Sequence, residues 1–521
     1  MKRKLRYNVG AEMIEKDIHY VPVRFILAVT MAALETLAVI AMVILCCVYI
    51  PYFYLAMWAT EIASVIHIAA SNENPDYKVP WLLVVLVIPV VGLMLYIMFH
   101  SRTLKKKYIR RMESLKNHSY TKEDEASLAM LRTESITAAN QARMLCEISE
   151  SHLFQNTSQE YFPLGEDMFP RMLDDMRNAE EFIFLEYFII EEGRFWNSIL
   201  ELLKEKAAGG VEVRVVYDDI GCMNTLPGNY WKTLKAHGIK ATPFALLRGN
   251  ADSEFNNRSH RKILVVDGKV GYTGGVNIAD EYINATVRFG HWKDSGIRLE
   301  GEAVQELTKL FLVDYGLNVY QEPEICHDYF PRHSVPEAEG WLIPFGDGPA
   351  PVYVHQVGKR VIQNMLNQAQ RYVWMMSPYL IIDSELCCSI EYAAMRGIDV
   401  RIIVPHIPDK KLIFEMTQCC YERLMKAGVK IYEYEPGFIH AKCYLADDEI
   451  AMIGTINLDY RSLAHHFENG VWMYRCDSIR DIRKDFADTF EKSIRIEEHM
   501  LKKGIGHKLI RSLVKVFAPM L

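Results

Sequence analysis

The hydrophobic positions follow two different patterns along the chain. Before about residue 100, apolar residues form three long stretches, at about 25–49, 51–70 and 80–99. Each stretch has the length of a membrane-spanning helix. From about residue 161, short apolar segments alternate with amphipathic ones, which is typical of α/β domains whose sheets are covered by helices. We therefore expect a membrane region, residues 1–100, followed by an α/β region.

The α/β region repeats one order of elements. A strand, a helix and a strand are predicted twice, at 182–190, 194–207 and 211–217, and at 372–379, 384–395 and 399–404. The stretch between the two copies, 321–351, is rich in Pro and Gly and reads as a linker. We expect two similar α/β halves, 161–320 and 352–499, packed as one catalytic unit.

The sequence leaves open the structure of the segments that flank the two halves and the number of membrane spans. Residues 101–160 are charged and predict a helical tether, and the tail, 500–521, is basic and amphipathic. Such a tail either lies on an anionic bilayer or packs on the domain, and the sequence does not distinguish these two interpretations. The basic cluster at 105–111 predicts a cytoplasmic catalytic region, but the basic start of the chain also favours the inside, which three spans forbid. Two spans, three spans, or one span with an interfacial helix are all possible.

Composition narrows the function. The formal net charge of −7 argues against a nucleic-acid binder, which is usually basic. The eleven cysteines show no CxxC or Cys/His ligand spacing, so we expect reduced thiols, no metal site and no cofactor.

Two short motifs carry the candidate chemistry. His260, Lys262 and Asp267 form one H-x-K-x4-D sequence, and a second copy consists of His440, Lys442 and Asp447. Each copy is followed at the same distance by an asparagine, at Asn277 and Asn457. In a strand, the His and Lys of H-x-K lie on one face, because side chains alternate with period two. An imidazole, an ammonium and a carboxamide on one edge suit a phosphodiester, which needs a nucleophile or proton carrier and charge neutralisation.

The doubled motif resembles the signature of the phospholipase D superfamily over residues 160–521. The sequences Asn256-x-Arg258-x-His260 and Phe517-Ala-Pro-Met-Leu521, with the hydrophobic N-terminus, more narrowly resemble the bacterial cardiolipin synthases. The resemblance implies one active site built from both halves. It also implies that His260 forms a covalent phosphohistidine and that His440 protonates the leaving alcohol, an order that the symmetric sequence alone does not fix.

The remaining site residues have supporting roles. Lys262, Lys442, Asn277 and Asn457 are expected to hold the phosphate without a metal, and Thr455 adds a hydroxyl where the first half has Gly275. A nucleophilic imidazole needs an acceptor on its other nitrogen, and the candidates are Asp294 and Glu468. Asp267 and Asp447 complete the catalytic motif but stand at turns, where they suit structure better than chemistry.

The reaction implied by the resemblance is phosphatidyl transfer between two phosphatidylglycerol molecules, with anionic membrane lipids as partners. The implied location is the bacterial cell membrane, with several spans. Alternatives are a hydrolase, a transferase with another alcohol, a nuclease, or a catalytically silent membrane scaffold. The intact motifs argue against a catalytically silent scaffold, and the negative net charge argues against a nuclease. The oligomeric state is not indicated by the sequence.

Overall fold

The computed structural model describes residues 20–49, 51–71, 73–99, 124–244, 257–319, 329–330, 338–350, 352–501, 511 and 514–520. The basic cluster at 105–111, the start of the predicted tether, Asn256, most of the predicted linker and part of the tail lie outside the described residues.

The first half is built on a seven-stranded sheet. Its strand order is β1-β8-β6-β5-β2-β3-β4. Strands β2, β3 and β4 run parallel to one another, and the remaining pairs are antiparallel. The strands of this half are β1 (Thr157–Phe162), β2 (Phe182–Tyr187), β3 (Glu212–Asp218), β4 (Lys240–Phe244), β5 (Lys262–Val266), β6 (Val270–Gly274), β7 (His291–Lys293) and β8 (Gly296–Gly301).

The second half repeats this sheet with one more strand. Its order is β19-β13-β12-β10-β15-β16-β18-β9, so β9, β18, β16, β15, β10, β12 and β13 take the places of the seven strands of the first sheet. The strands are β9 (Trp341–Asp347), β10 (Tyr372–Met376), β11 (Leu380–Ile381), β12 (Asp399–Pro405), β13 (Lys430–Tyr434), β14 (Gly437–Ile439), β15 (Cys443–Ala446), β16 (Ile450–Gly454), β17 (Leu458–Asp459), β18 (Glu468–Tyr474) and β19 (Ser493–Arg495). The predicted fold of two similar α/β halves is confirmed.

Helices precede and cover the two sheets. They are α1 (Tyr20–Tyr49), α2 (Pro51–Ala70), α3 (Pro75–Val87), α4 (Pro89–Phe99), α5 (Glu125–Glu134), α6 (Ile136–Ser149), α7 (Gly165–Arg177), α8 (Arg194–Ala208), α9 (Tyr230–Ala236), α10 (Val304–Asn318), α11 (Val357–Gln368), α12 (Ser384–Met395), α13 (Lys411–Lys426), α14 (Tyr460–Ala464) and α15 (Ser478–Glu491). Helix α10 is buried over nearly its whole length, and one hydrophobic core contains residues from α10 and from both sheets. The halves therefore share a core, which fixes the elements of one half against those of the other.

The third predicted apolar stretch is not one continuous helix. Helix α3 ends at Val87, α4 begins at Pro89, and the rings of Trp81 and Tyr96 lie 5.6 Å apart. In a single straight helix these residues would be more than about 20 Å apart. Pro89 has no backbone N–H to continue the helix, and a side chain at Gly92 would collide with the Val84 carbonyl, so glycine permits the close approach. The expected span at 80–99 is corrected to a tight helical hairpin.

Within the described part of the chain, none of the helices is both long enough and apolar enough to cross a membrane.

Three flanking segments are more integrated than the sequence indicated. The later part of the predicted tether forms α5 and α6, whose Leu131, Ala142 and Leu145 are buried in the shared core. The end of the predicted linker is β9, an edge strand that is buried along its length. In the described part of the tail, Ala518 is buried beside Met416, so this part packs on the second half. Helices α5 and α6 were not predicted to be buried, because the charged residues on their outer face obscured the small and apolar residues at helical spacing on the inner face.

Candidate active site

The two motif histidines lie where the halves meet. The backbone N–H of His260 donates to the carbonyl of Phe467 at 2.8 Å, and the backbone N–H of His440 donates to the carbonyl of Lys293 at 2.6 Å. Beside the second contact, β7 and β14 pair in parallel across the two halves. Each histidine is thus held by backbone from the other half.

The residue that follows each of these carbonyls is the acid that orients the histidine. Nδ1 of His260 lies 3.0 Å from both carboxylate oxygens of Glu468. Nδ1 of His440 lies 2.7 Å from Oδ2 of Asp294. The two pairs cross between the halves, so neither half holds a complete histidine–acid pair by itself. In each pair the acid leaves Nε2 as the nitrogen that faces a substrate.

The lysines lie beside the histidines, but the strands begin later than expected. Strand β5 starts at Lys262 and β15 starts after Lys442, so neither histidine is part of a strand. The expectation of an H-x-K pair on one strand is therefore wrong, because the histidine backbone bonds to the opposite half instead. Nζ of Lys262 donates to the carbonyl of His260 at 2.7 Å, and Lys442 makes the same bond to the carbonyl of His440. Both ammonium groups are buried at the site.

Hydroxyl groups surround Glu468. Its carboxylate accepts hydrogen bonds from the hydroxyl of Thr455 and, at 2.7 Å, from the hydroxyl of Ser462. The Thr455 hydroxyl was predicted to bind phosphate, and the structure places it on Glu468 instead. In the first half, a side chain at Gly275 would lie 2.0 Å from the carboxylate of Asp294. The Gly/Thr difference between the motifs therefore matches the shorter and the longer acid.

The asparagines after the motifs have structural contacts of their own. Oδ1 of Asn277 accepts from the backbone N–H of Ile189 at 3.1 Å, and its Nδ2 donates to the Tyr282 hydroxyl at 2.8 Å. Oδ1 of Asn457 is buried and has no hydrogen-bond partner among the described residues. A phosphate-binding role for Asn277 would use the second N–H of its amide.

The motif aspartates lie at the far ends of the motif strands. The carboxylate of Asp267 accepts three backbone N–H bonds from residues 180–182, and that of Asp447 accepts three from residues 370–372. Both residues have positive φ, which aspartate tolerates at turns. These contacts support a structural role, and the placement of both residues in the catalytic set stays a prediction.

Burial and the two lysines control the charge of the site. Burial, with the nearby ammonium of Lys262, lowers the pKa of His260 well below its usual range. Burial, then Lys442, lowers the pKa of His440 to about 4. Both imidazoles are therefore neutral at neutral pH before an anion arrives. Burial lowers the pKa of Lys442 to about 8, and an anionic phosphate would favour the charged form of both the lysine and the histidine.

The two acids differ from each other. Burial raises the pKa of Glu468 to about 7, although Lys262 and the two hydroxyls oppose the rise. Burial also raises the pKa of Asp294, but His440 and Lys442 outweigh it, so the net shift is downwards. Asp294 thus favours its charged form more than an ordinary aspartate does, and Glu468 gains its charge near neutral pH.

One functional candidate was not found in the sequence. His466 lies with its ring centre 5.6 Å from that of His260, and its Nδ1 lies 3.8 Å from Oε1 of Glu468. The ligand atoms of His260, His466 and Glu468 all lie within 4.8 Å of one another, a grouping that could hold a metal ion. The sequence did contain a signal for His466, namely its position two residues before Glu468, the acid that orients His260.

Two like α/β halves that each give a histidine and a lysine to one shared site define a phospholipase D-like protein. The family described as "Cardiolipin synthase, PLD-like domain" matches residues 172–312 and 362–490, and "Phospholipase_D-nuclease N-terminal" matches residues 62–99. The chain belongs to the cardiolipin synthase family of phospholipase D-like proteins.

Several individual proteins are similar to the chain. The chain is 32% identical to a cardiolipin synthase of Alkalihalophilus pseudofirmus, over 87% of this chain and 90% of the relative. It is also 32% identical to a cardiolipin synthase of Geobacillus kaustophilus, over 90% of this chain and 94% of the relative. An uncharacterized protein of Streptococcus mutans is 41% identical over 88% of this chain and all of the relative. The crystal structure of phosphatidylserine synthase from Haemophilus influenzae shares the fold, with a TM-score of 0.54 and 15% identity over 73% of this chain and 98% of that one.

Proposed function

We propose that the protein transfers a phosphatidyl group from one phosphatidylglycerol to another, which gives cardiolipin and glycerol. The observation that carries the proposal is the crossed pair of histidines, His260 with Glu468 and His440 with Asp294. Two oriented imidazoles beside two buried lysines supply a nucleophile, an acid and charge neutralisation for one phosphodiester.

In the first half-reaction, Nε2 of His260 attacks the phosphorus of the donor lipid. The bond from phosphorus to the glycerol headgroup oxygen breaks, and His440 gives that oxygen a proton. Glu468 accepts the Nδ1–H of His260 and stabilises the positive charge that develops on the ring. The ammonium groups of Lys262 and Lys442 neutralise the phosphoryl oxygens.

In the second half-reaction, neutral His440 takes the proton from a headgroup hydroxyl of a second phosphatidylglycerol. The hydroxyl oxygen attacks phosphorus, and the bond between phosphorus and His260 breaks. His440 is then protonated for the next donor, so one residue serves as acid and base in turn.

We also propose that the N-terminal helices hold the enzyme at the bilayer that contains both substrates. Large apolar side chains are exposed on α1 and α2, among them Leu34, Leu37, Leu55 and Trp58. An exposed apolar surface of this kind favours contact with lipid. The proposed membrane is that of a bacterial cell, with the catalytic halves on the cytoplasmic side.

Helix α3 joins this region to the second half close to the active site. Nδ2 of Asn74 donates to Oδ2 of Asp383 at 2.9 Å, and the Ser384 hydroxyl donates to Oδ1 of Asp76 at 2.9 Å. The ring of Tyr77 lies 5.2 Å from that of Tyr460, in the short helix that follows Asn457. We infer that these contacts set the height of the active site above the lipid surface.

Loss of this docking should weaken the reaction on membranes more than the chemistry. With Asn74→Ala and Asp76→Ala combined, we expect turnover on phosphatidylglycerol vesicles to fall by about tenfold, because misplacement of a bound substrate is costly. Turnover of a short-chain, monomeric phosphatidylglycerol should stay within about twofold, since the histidines and lysines are untouched. Asp174→Ala, which removes an exposed ion pair on α7, is the control. Equal losses on both substrates would contradict the docking role.

Product analysis tests the function directly. With vesicles of phosphatidylglycerol alone, we expect cardiolipin and free glycerol in equal amounts and little phosphatidic acid, measured by lipid mass spectrometry and a glycerol assay. Water is far more concentrated than any lipid alcohol, so a transferase must favour its acceptor by position. Phosphatidic acid as the main product would identify a hydrolase. If another alcohol is added and cardiolipin no longer forms, the enzyme is a transferase that prefers a different acceptor.

A further inference from the structure

The two histidines of the site have different neighbours at one matched position. Two residues before the orienting acid, the first half has Trp292 and the second half has His466. Trp292 packs beside His440 with ring centres 5.6 Å apart, and His466 packs beside His260 at the same ring separation of 5.6 Å. An aromatic ring thus fills this place in both halves, but only the second half places nitrogen ligand atoms there.

The surroundings of His466 leave one of these nitrogens available. Nδ1 of His466 is buried and has no hydrogen-bond partner among the described residues, although Oε1 of Glu468 is 3.8 Å away. A buried polar atom without a hydrogen-bond partner destabilises the folded protein, so such an atom indicates a position where a ligand can bind.

We propose that His260, His466 and Glu468 form an inhibitory site for a zinc-like divalent transition metal. The three ligand atoms lie within 4.8 Å of one another, and Nδ1 of His260 is already 3.0 Å from the carboxylate. Ligands of tetrahedral zinc are about 3.3 Å apart at bond lengths of about 2.0–2.1 Å, so small side-chain rotations close the set. Two imidazoles and one carboxylate are a ligand set that zinc accepts, with a fourth position for water.

Metal binding at this place would block the nucleophile. The metal would take the lone pair of Nδ1 of His260, and the single proton of the neutral ring would move from Nδ1 through solvent to Nε2. An imidazole bound in this tautomer has Nε2–H, which cannot attack phosphorus. The metal would also occupy Glu468, which otherwise stabilises the attacking ring. Inhibition therefore needs no contact between the metal and the lipid.

The test uses the purified full-length protein, with Zn²⁺ for inhibition and Co²⁺ as the spectroscopic probe. We expect the wild type to bind one more Co²⁺ than His466→Phe, with a visible absorption spectrum typical of low coordination number. We expect at least about a tenfold higher Zn²⁺ concentration for half-inhibition of His466→Phe, since the loss of one ligand weakens binding at least that much. Phenylalanine keeps the ring packing that Trp292 shows to be acceptable in the other half. The exposed His237 provides the control, His237→Phe, which should behave as the wild type.

The inhibition measurement rests on the proposed function, and the metal-binding measurement does not. Absence of transferase activity in the metal-free wild type would reject the function but leave the Co²⁺ result to decide the site. Equal Co²⁺ binding and equal Zn²⁺ sensitivity in wild type and His466→Phe would overturn the site. If His466→Phe does not fold, His466→Gln replaces it in the same comparison. Exhaustive chelation should maintain or increase wild-type activity, and a loss restored only by added metal would contradict an inhibitory role.

Discussion

His260→Ala and His440→Ala should each lower cardiolipin formation by at least about 10⁴-fold, and the double variant should be no slower than either single one. Groups that act as one unit are non-additive in this way, because removal of either already stops the shared reaction. The structure gives the physical reason, since each histidine is held by backbone and acid from the opposite half. His237→Ala, at an exposed histidine, is the control and should keep full activity.

The same variants separate nucleophile from acid. A phosphatidyl donor with a nitrophenol leaving group needs no proton from the enzyme, because nitrophenolate is a stable anion. With this donor, His440→Ala should release about one equivalent of nitrophenolate and keep the phosphatidyl group on His260, while His260→Ala should release none. Measurement combines rapid-mixing absorbance with mass spectrometry of the protein. A covalent product in His260→Ala and none in His440→Ala would reverse the two roles.

The repeated part of the fold was predictable from the sequence because local patterns determine it. The strands at 182–187 and 372–376 are short buried runs, and the helices at 194–208 and 384–395 begin and end near the expected residues. The tight pairing of α3 with α4 was not predictable in this way. It depends on the contact of Gly92 with the Val84 carbonyl, which hydropathy does not register.

The residues of the site were largely predictable, but their pairing was not. The sequence offered Asp294 and Glu468 as partners for the histidines without deciding which acid serves which histidine. The crossed pairing follows from backbone contacts between the halves, such as that of His260 with Phe467. Thr455 was placed on the phosphate because its contact with Glu468 arises only when the β16–β17 loop meets β18. Contacts between distant segments carry no local signal, which explains why the sequence left the pairing open and did not indicate the contact of Thr455 with Glu468.

The orienting acids should differ in their dependence on pH. Asp294→Asn and Glu468→Gln should each lower turnover by about 10³-fold or more, because an amide does not stabilise the charged ring and can favour the wrong tautomer. In the wild type, turnover should rise with pH around 7, since burial raises the pKa of Glu468 to about 7 and only the carboxylate supports attack by His260. Asp294 keeps a lowered pKa and contributes no rise in this range.

The pH profiles of single variants test this difference. The rise near pH 7 should disappear in Glu468→Gln, because no carboxyl group remains to titrate there, and it should persist at low amplitude in Asp294→Asn. Thr455→Val removes a hydroxyl that donates to the Glu468 carboxylate, so the folded protein should show the same rise at higher pH. The measurement is turnover as a function of pH between about 5 and 9, with vesicles whose surface charge is kept about constant over this range. A rise near pH 7 that survives in Glu468→Gln, or one that does not move in Thr455→Val, would assign the titration to another group and remove Glu468 from its place beside the nucleophile.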